Sequence, residues 1–398
     1  MITDLRSGLR LAEELMEGFA FDTGLAGVKP PRRYLWTDAF AVGNLLGLHR
    51  ETGEGRWLDL ALRLVDQVHH VLGRHRPDDA RSGWLSGLAG DEGEQHPTRG
   101  GLRIGKPLPE RGAGEPFDAQ LEWERDGQYL HYLTQWMHAL ERVAEETGQP
   151  VFGAWAVELA EAAHAAFTRA GGSDRSGGGP VGMVWKMSVA LDRVAVPSMG
   201  QHDPLDARIA YLEIREGVRA AWSSAGSPEL AREIAEAADL CRGARWETED
   251  PLGAGALLIA AHRLVRLELR HGIDEGDLLE RIIEAAAVSV AAAARRRFQT
   301  RPADQHLAFR ELGLAIGLHA FERIRAATAG RAGFPAGGAV TALASHLPLA
   351  AEIDDFWSDP ARRADPAWRE HADINTVMLA TSLAPGGYLG RLEASQLL

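Results

Sequence analysis

The fold of this chain is decided by the stretch Trp36-Thr-Asp-Ala-Phe-Ala-Val-Gly-Asn-Leu-Leu-Gly-Leu-His-Arg-Glu-Thr-Gly53. It is apolar on nearly every face and carries its polar atoms mainly at its start, which is the pattern of a helix buried on all sides. In residues 56–72, apolar side chains recur at spacings of three and four with charged residues between them, as in a helix with one solvated face. The sequence therefore predicts a hairpin made of an inner helix and an outer helix.

A short turn joins these two helices and returns later in the chain. Arg50-Glu-Thr-Gly53 puts a basic residue in the last helical turn and a glycine just after it, a signature of a helix C-terminus. Val143-Ala-Glu-Glu-Thr-Gly148 stands in the same place between an apolar helix and an amphipathic one. Inner-type helices begin near residues 36, 126, 203, 250, 304 and 373. We therefore predict about twelve helices, arranged as hairpins.

The segments before the inner helices are long. Residues 77–125 are predicted to form a loop, and a loop of that length is usually a lid or part of a binding site. Only residues 184–196 have a pattern in which strands could pair, as a hairpin within a loop. With short turns inside the hairpins, the long loops are expected on one face of the molecule.

Composition excludes several classes of protein. The 398 residues carry a formal net charge of −13 with a sequence pI near 5.6, and no basic face is visible, which disfavours nucleic-acid binding. Cys241 is the single cysteine, which excludes an internal disulfide and a multi-cysteine zinc site. The N-terminal segment alternates charged and apolar residues, so we expect a helix there and not a signal peptide. No uncharged stretch is long enough to span a membrane, and a cytoplasmic protein is expected.

Three features resemble the six-hairpin glycosidase superfamily, which also includes the N-acylglucosamine 2-epimerase-like proteins. They are the alternation of inner and outer helices, the segment Tyr34-Leu-Trp-Thr-Asp38 and the Glu-Thr-Gly turns. The resemblance implies an all-α (α/α)6 toroid of six helical hairpins, a single domain over residues 1–398 with long loops on one face. It also implies a substrate funnel at the N-terminal ends of the inner helices, where acidic or histidine side chains do the chemistry.

Five carboxylates near the predicted starts of inner helices are the catalytic candidates. Two of them belong to Glu122-Trp-Glu-Arg-Asp126, where three carboxylates flank a tryptophan, as proton transfer on a stacked sugar requires. Each candidate also has a structural interpretation, as a helix cap or as a charge that favours the positive helix end. The catalytic candidates are Asp38, Glu124, Asp126, Asp203 and Glu311.

Aromatic and polar side chains at the same helix ends are candidates for holding the substrate. Arg310 and Glu311 are adjacent charges in an apolar helix, so they need partners, which a structural ion pair or a bound substrate would supply. His131 and Tyr132 either line a pocket or belong to a hydrogen-bonded core. The substrate-binding candidates are Trp36, Trp123, Tyr129, His131, Trp185, His202, His306, Arg310 and Asp373.

We predict a glycoside hydrolase that uses a pair of these carboxylates as acid and base on a small-molecule carbohydrate, with no metal and no cofactor. One alternative is a sugar epimerase or isomerase with His202 and His306 as bases, because an imidazole titrates near neutral pH. The others are a non-catalytic sugar-binding toroid and a helical cyclase of terpenoid substrates. The acidic segment 352–359 resembles the aspartate-rich segments of such cyclases but lacks their spacing, and it is better interpreted as a solvated helix end. The sequence leaves the oligomeric state open.

Overall fold

The computed structural model describes residues 5–112, 114–170, 180–221, 230–295, 306–331, 334 and 337–392. These residues fall into two compact units. The terminal unit comprises Met1–Asp22, Gly43–Leu58 and Arg245–Leu398, and the central unit comprises Thr23–Val42 and Asp59–Ala244. The single domain over residues 1–398 stays a prediction.

Helices account for most of the described chain, and short strands occur between them. In chain order the elements are α1 (Leu5–Asp22), α2 (Leu35–Thr52), α3 (Gly55–Leu72), α4 (Gly90–Gln95), α5 (Ala119–Glu124), β1 (Gln128–Tyr129), α6 (Leu130–Thr147), α7 (Pro150–Phe167), β2 (Thr168–Ala170), β3 (Pro180–Met183), β4 (Lys186–Met187), β5 (Val194–Val196), α8 (Asp203–Ala221), α9 (Ala231–Cys241), α10 (Pro251–His271), α11 (Gly276–Ala294), α12 (Ala308–Thr328), α13 (Gly338–Ser345), α14 (Pro348–Ser358), α15 (Pro360–Arg363), α16 (Pro366–Glu370), α17 (Ala372–Leu383) and α18 (Gly386–Leu389).

The first predicted hairpin is confirmed by α2 and α3. Every residue of α2 from Leu35 to Leu48 is buried, as an inner helix requires. Helix α3 buries positions three and four apart, beginning with Trp57 and Ala61, and exposes Arg56 and Asp59. Burial therefore follows the hydrophobic pattern of each helix.

The two Glu-Thr-Gly turns have the same atomic structure. Gly53 and Gly148 are left-handed, with φ of 72° and 67°, and their amides donate to the carbonyl oxygens of His49 (2.8 Å) and Ala144 (2.9 Å). In each turn the threonine hydroxyl donates to the carbonyl four residues before it, at 2.7 Å in one and 2.8 Å in the other. The residue after each glycine donates its amide to the same hydroxyl at 3.2 Å. A left-handed glycine after the last turn ends the helix at little steric cost, so the turn is correctly predicted.

The predicted strand hairpin is also confirmed. Lys186 pairs with Val196 and Met187 with Val194, so that β4 and β5 are antiparallel. Strand β1 adds on the other side of β4 and completes a three-stranded sheet in the order β1-β4-β5. Strands β2 and β3 form a separate antiparallel pair. Both small sheets belong to the central unit, and β1 of the three-stranded sheet leads directly into α6.

In the terminal unit, α10 and α12 approach to backbone contact. A β-carbon built on Gly255 would lie 2.0 Å from the carbonyl oxygen of Gly313, and one built on Gly317 would lie 2.5 Å from the α-carbon of Gly255. Helix α12 also packs on α14 and α17, and α1 packs on α17. The glycines therefore set the distance between two of the longest helices of this unit.

Several element bounds differ from the sequence prediction. Residues 77–125 contain the short helices α4 and α5, and α13 had not been predicted. Helix α6 begins at Leu130 and not near residue 126, because Gly127 has a φ of +152° and the next two residues pair with β4. The predicted end of an outer helix at residue 297 and the predicted start at residue 304 lie outside the described residues. Within the described residues, no helix is both long and apolar enough to cross a membrane.

Candidate functional site

Six rings of the central unit converge where α6 begins, and we call this group the aromatic site. Its members come from the segment before α2, from α5, from β1, from the first turn of α6 and from the segment before β4, and all but one of them are partly exposed. The aromatic site consists of Tyr34, Trp123, Tyr129, His131, Tyr132 and Trp185. Partly exposed rings in a cluster offer faces on which a sugar can stack.

Direct ring contacts hold the aromatic site together. Tyr129 stacks on His131 with centroids 5.3 Å apart, and His131 meets Trp185 edge-on at 6.0 Å. Trp185 in turn meets Trp123 edge-on at 5.2 Å. A row of rings therefore runs from the first turn of α6 to the last turn of α5.

A hydrogen bond joins two tyrosines of the aromatic site that are far apart in the sequence. The hydroxyl groups of Tyr34 and Tyr132 lie 2.8 Å apart, and the two rings meet edge-on. Burial raises the pKa of both phenols, so both stay protonated and neutral. This pair links the start of α2 to the start of α6.

Asp203 is a buried carboxyl group next to His131 in the row of rings. Its Oδ1 lies 3.8 Å from Nδ1 of His131, and its Oδ2 accepts a hydrogen bond from the amide of Gly200 (3.2 Å). Burial, with Asp206 as the second cause, raises the pKa of Asp203 to about 8, while burial lowers the pKa of His131 to about 4. At neutral pH both side chains are therefore neutral, and Asp203 carries a proton that it can donate.

Glu124 is a carboxyl group that, unlike that of Asp203, belongs to an exposed residue. It is the last residue of α5, next to Trp123, and it is exposed. Burial is the largest cause of the raised pKa of Tyr34 and Tyr129, and the negative charge of Glu124 adds to both. The aromatic site thus has an exposed carboxyl group next to Trp123 and a buried, protonated carboxyl group next to His131.

Two ring nitrogens of the site have no hydrogen-bond partner within the described residues. They are Nδ1 of His131 and Nε1 of Trp185, and neither atom is accessible to solvent. A buried nitrogen without a partner costs free energy, and neither nitrogen can be reached by a ligand in this conformation. The rings therefore offer a ligand their partly exposed faces for stacking.

Three other candidates of the central unit have different surroundings. Trp36 is buried and packs on Phe40 with ring centroids 4.5 Å apart. Asp38 is buried, accepts the amide of Tyr34 (2.9 Å) and pairs with Arg33 (3.3 Å). His202 is half-buried and directly precedes Asp203 at the start of α8.

Asp126 is also buried and is surrounded by donors. It accepts hydrogen bonds from Arg103 (2.5 Å) and from the amides of Gly105 (3.0 Å) and Lys106 (3.3 Å). These three hydrogen bonds connect the segment before α5 to the segment just before β1.

The remaining candidates lie in the terminal unit. Glu311 is buried and accepts hydrogen bonds from Nδ1 of His306 (2.5 Å) and Nε1 of Trp357 (3.0 Å). Arg310 is partly exposed and pairs with Asp250 at 2.8 Å. Asp250 is the N-cap residue of α10 before Pro251, but its side chain makes this ion pair and no cap hydrogen bond.

Asp373 lies in the first turn of α17 and is half-buried. The acidic segment 352–359 forms the second half of α14 and lines an open surface groove with Arg362. Within that segment Asp354 is engaged, because it accepts hydrogen bonds from His319 (2.8 Å) and Ser382 (2.5 Å). Among the described residues, no group of three or more histidine, cysteine or acidic side chains could hold a metal ion.

Sequence reasoning did not select Tyr34 or the two lysines Lys106 and Lys186, which border the aromatic site. Tyr34 could have been found, because it opens the segment that suggested the fold. The lysines also carried a signal, because the whole chain has only three lysines among its 43 basic residues. What the sequence could not show is that these side chains meet.

Comparison with solved structures decides the fold. The chain matches the α-1,6-mannanase GH76A of Salegentibacter sp. HEL1_6 with a TM-score of 0.54 and 13% identity, covering 95% of this chain and 99% of the mannanase. The chain has the six-hairpin (α/α)6 fold. Inactive variants of the same mannanase, with two consecutive aspartates replaced, match with TM-scores of 0.52 in complex with α-1,6-mannotriose and 0.54 with α-1,6-mannotetrose. No family model and no curated protein matches the sequence. The (α/α)6 fold implied by the resemblance to the six-hairpin glycosidase superfamily is thus confirmed, and it is shared with a glycoside hydrolase.

Proposed function

We propose that this (α/α)6 protein is a glycoside hydrolase whose substrate stacks on the aromatic site, with Asp203 as general acid and Glu124 as base or nucleophile. The observation that carries the proposal is the position of two unlike carboxyl groups along one row of partly exposed rings, an exposed one next to Trp123 and a buried one next to His131. Glycoside cleavage uses a carboxyl group of each kind, one that protonates the leaving oxygen and one that acts as base or nucleophile.

The chemical roles follow from the surroundings of each group. Asp203 is buried, so its proton is retained at the pH where an ordinary aspartate is ionised, which suits a general acid. Glu124 is exposed at a helix end and accessible to water and substrate.

Consecutive aspartates are a less favourable choice in this chain, although their replacement accompanies inactivity in the mannanase. The sequence contains two such pairs, Asp78-Asp79 and Asp354-Asp355. Arg76 binds Asp78 (2.7 Å) and Arg81 binds Asp79 (2.8 Å), while Asp354 is held by two side chains of its own unit. We therefore assign the acid and base roles to carboxyl groups that border rings.

The proposal is tested by incubating the protein with a panel of glycosides that includes α-1,6-mannotriose and α-1,6-mannotetraose and by measuring released sugar. On a substrate that is hydrolysed, Glu124→Gln and Asp203→Asn should each lower kcat about 100-fold or more, the usual contribution of one acid–base group. Glu92→Gln is the matched control, because it makes the same change at an exposed glutamate of α4.

Equal rates for the two variants and the wild type would remove these residues from the mechanism. Binding of oligosaccharide without any release of sugar would favour the non-catalytic sugar-binding alternative and overturn the hydrolase assignment.

A further inference from the structure

Two of the three lysines of the chain converge on a single aromatic ring. Lys106 and Lys186 each place Nζ 5.4 Å from the centroid of the Tyr129 ring. Lys186 is paired directly with Tyr129 across β1 and β4, and its side chain is completely buried. A buried ammonium group is stable only where hydrogen-bond acceptors surround it, so Nζ of Lys186 must have acceptors close by.

The partners are the carbonyl groups at the end of α5. Nζ of Lys186 donates to the carbonyl oxygens of Glu122 and Arg125, the second at 2.6 Å. Nζ of Lys106 donates to the carbonyl oxygen of Trp123. The candidate catalytic glutamate is the residue between these groups, so the backbone is held on both sides of it.

The arrangement compensates for the weakness of α5 as a helix. Six residues are too few to be stable alone in water, and the last carbonyl groups of any helix have no partner within it. Cations at a helix C-terminus satisfy those carbonyls and favour the negative end of the helix dipole. The position of the last turn of α5 is therefore set by the two lysines and not by helix propensity.

At position 186 the available space favours lysine over arginine, which occupies nearly all the other basic positions of the chain. Gly127 leaves room for the aliphatic chain, because a β-carbon there would lie 2.9 Å from Cε of Lys186 and 2.6 Å from the carbonyl oxygen of Met187. An ammonium group is compact and has three donors, whereas a guanidinium group is a wide planar fork. The position of Lys186 Nζ between the carbonyl oxygens of Glu122 and Arg125 suits the compact ammonium group.

We propose that Lys186 and Lys106 are positioning residues that fix the last turn of α5 and thereby hold the Glu124 carboxylate and the Trp123 ring at the aromatic site. The catalytic consequence rests on the proposed function, because it requires Glu124 to take part in glycoside hydrolysis. The structural consequence does not, because α5 should lose its order without the lysines whatever reaction the protein performs.

The test combines kinetics with hydrogen exchange on Lys186→Met and Lys106→Met, which keep most of the side-chain volume but remove the cation. We expect kcat to fall about 10- to 100-fold while KM changes less than about threefold, since the displaced group acts on the reaction more than on binding. Amides of α5 should exchange faster, while amides of α7 keep their protection. Lys106 is partly exposed, so Lys106→Arg has room to reach the same carbonyl and should restore most of kcat.

Lys29→Met is the matched control, because it removes the third lysine of the chain, which is exposed in the segment before α2. Wild-type exchange in α5 for Lys186→Met would overturn the proposal, and so would an equal loss of protection in α5 and α7, which would indicate general destabilisation. If no glycoside is hydrolysed by the wild type, the hydrolase assignment fails. Faster exchange confined to α5 would then still support the positioning role.

Discussion

At the scale of single residues, a carboxyl group that keeps its proton at neutral pH must affect how stability depends on pH. Asp203 has a pKa of about 8 in the folded protein against an ordinary value of 3.8, with burial as the main cause. Between these pH values the folded state holds a proton that the unfolded chain has released. Stability from this group is therefore highest below about pH 4 and falls as the pH rises to 8, by up to about 1.4 kcal/mol per pH unit.

Asp203→Asn should remove that dependence, because an amide resembles the neutral carboxyl and does not titrate. The free energy of unfolding of the variant, minus that of the wild type, should increase between pH 5 and pH 8 in urea titrations. His131 contributes the opposite trend, since its lowered pKa costs stability as the pH falls below 6.5, but this contribution is present in both proteins. Parallel curves for the two proteins would show that Asp203 is ionised in the folded state.

Asp38 leads to a different expectation at the same scale. Its partner Arg33 has no exposed side-chain surface, so Asp38→Asn would leave a buried guanidinium without its counter-charge. Removal of one member of a buried pair typically costs about 3 to 5 kcal/mol. We expect a loss of that size in thermal or urea unfolding. Asp239→Asn is the control, because it makes the same change in the exposed pair with Arg242 and should cost little. A small loss for Asp38→Asn would indicate that Arg33 finds other partners.

At the scale of secondary structure elements, the contact of α10 with α12 depends on glycine. Gly255→Ala would place a methyl group 2.0 Å from a carbonyl oxygen of the facing helix, so the two helices must separate. Overpacking of this kind costs about 1 to 3 kcal/mol, and more where backbone is displaced. Gly18→Ala makes the same change in α1, where a β-carbon would meet nothing within 4 Å, and it should stabilise the protein by about 0.5 to 1 kcal/mol. Melting temperatures that move in the same direction for both variants would contradict this account.

The elements also show what a sequence pattern can and cannot predict. Helix α2 was predictable because it is a long, nearly continuous apolar segment, and α3 was predictable because its apolar side chains recur at three- and four-residue spacing. Helices α4 and α5 have six residues each, too few for a period to be visible, and α5 depends on lysines that are distant in sequence. The contact of Gly255 with Gly313 was invisible for a similar reason, since a glycine leaves no mark on a hydrophobic pattern.

At the scale of the whole molecule, the alternation of inner and outer helices predicted the helical hairpins, and the resemblance to the six-hairpin glycosidase superfamily implied the (α/α)6 fold that the structural match confirms. The candidate site was only partly predictable. Trp123, Glu124, Tyr129, His131, Trp185 and Asp203 were selected for their places near helix starts, but the site takes its form from contacts such as that of Tyr34 with Tyr132, 98 positions apart. Asp126 and Glu311 were catalytic candidates for the same reason. Only the structure shows that their carboxylates are already engaged by hydrogen-bond donors.

The two Glu-Thr-Gly connections have a consequence for how such a chain is made. The backbone and threonine hydrogen bonds that form these turns stay within seven consecutive positions, from Leu48 to Glu54 in the first and from Val143 to Gln149 in the second. Closing so short a loop takes a fraction of a microsecond, far less than the synthesis of the next residue by a ribosome. Each turn can therefore form while the second helix of its hairpin is still being translated. The nascent polypeptide then reverses direction before that helix is available for packing.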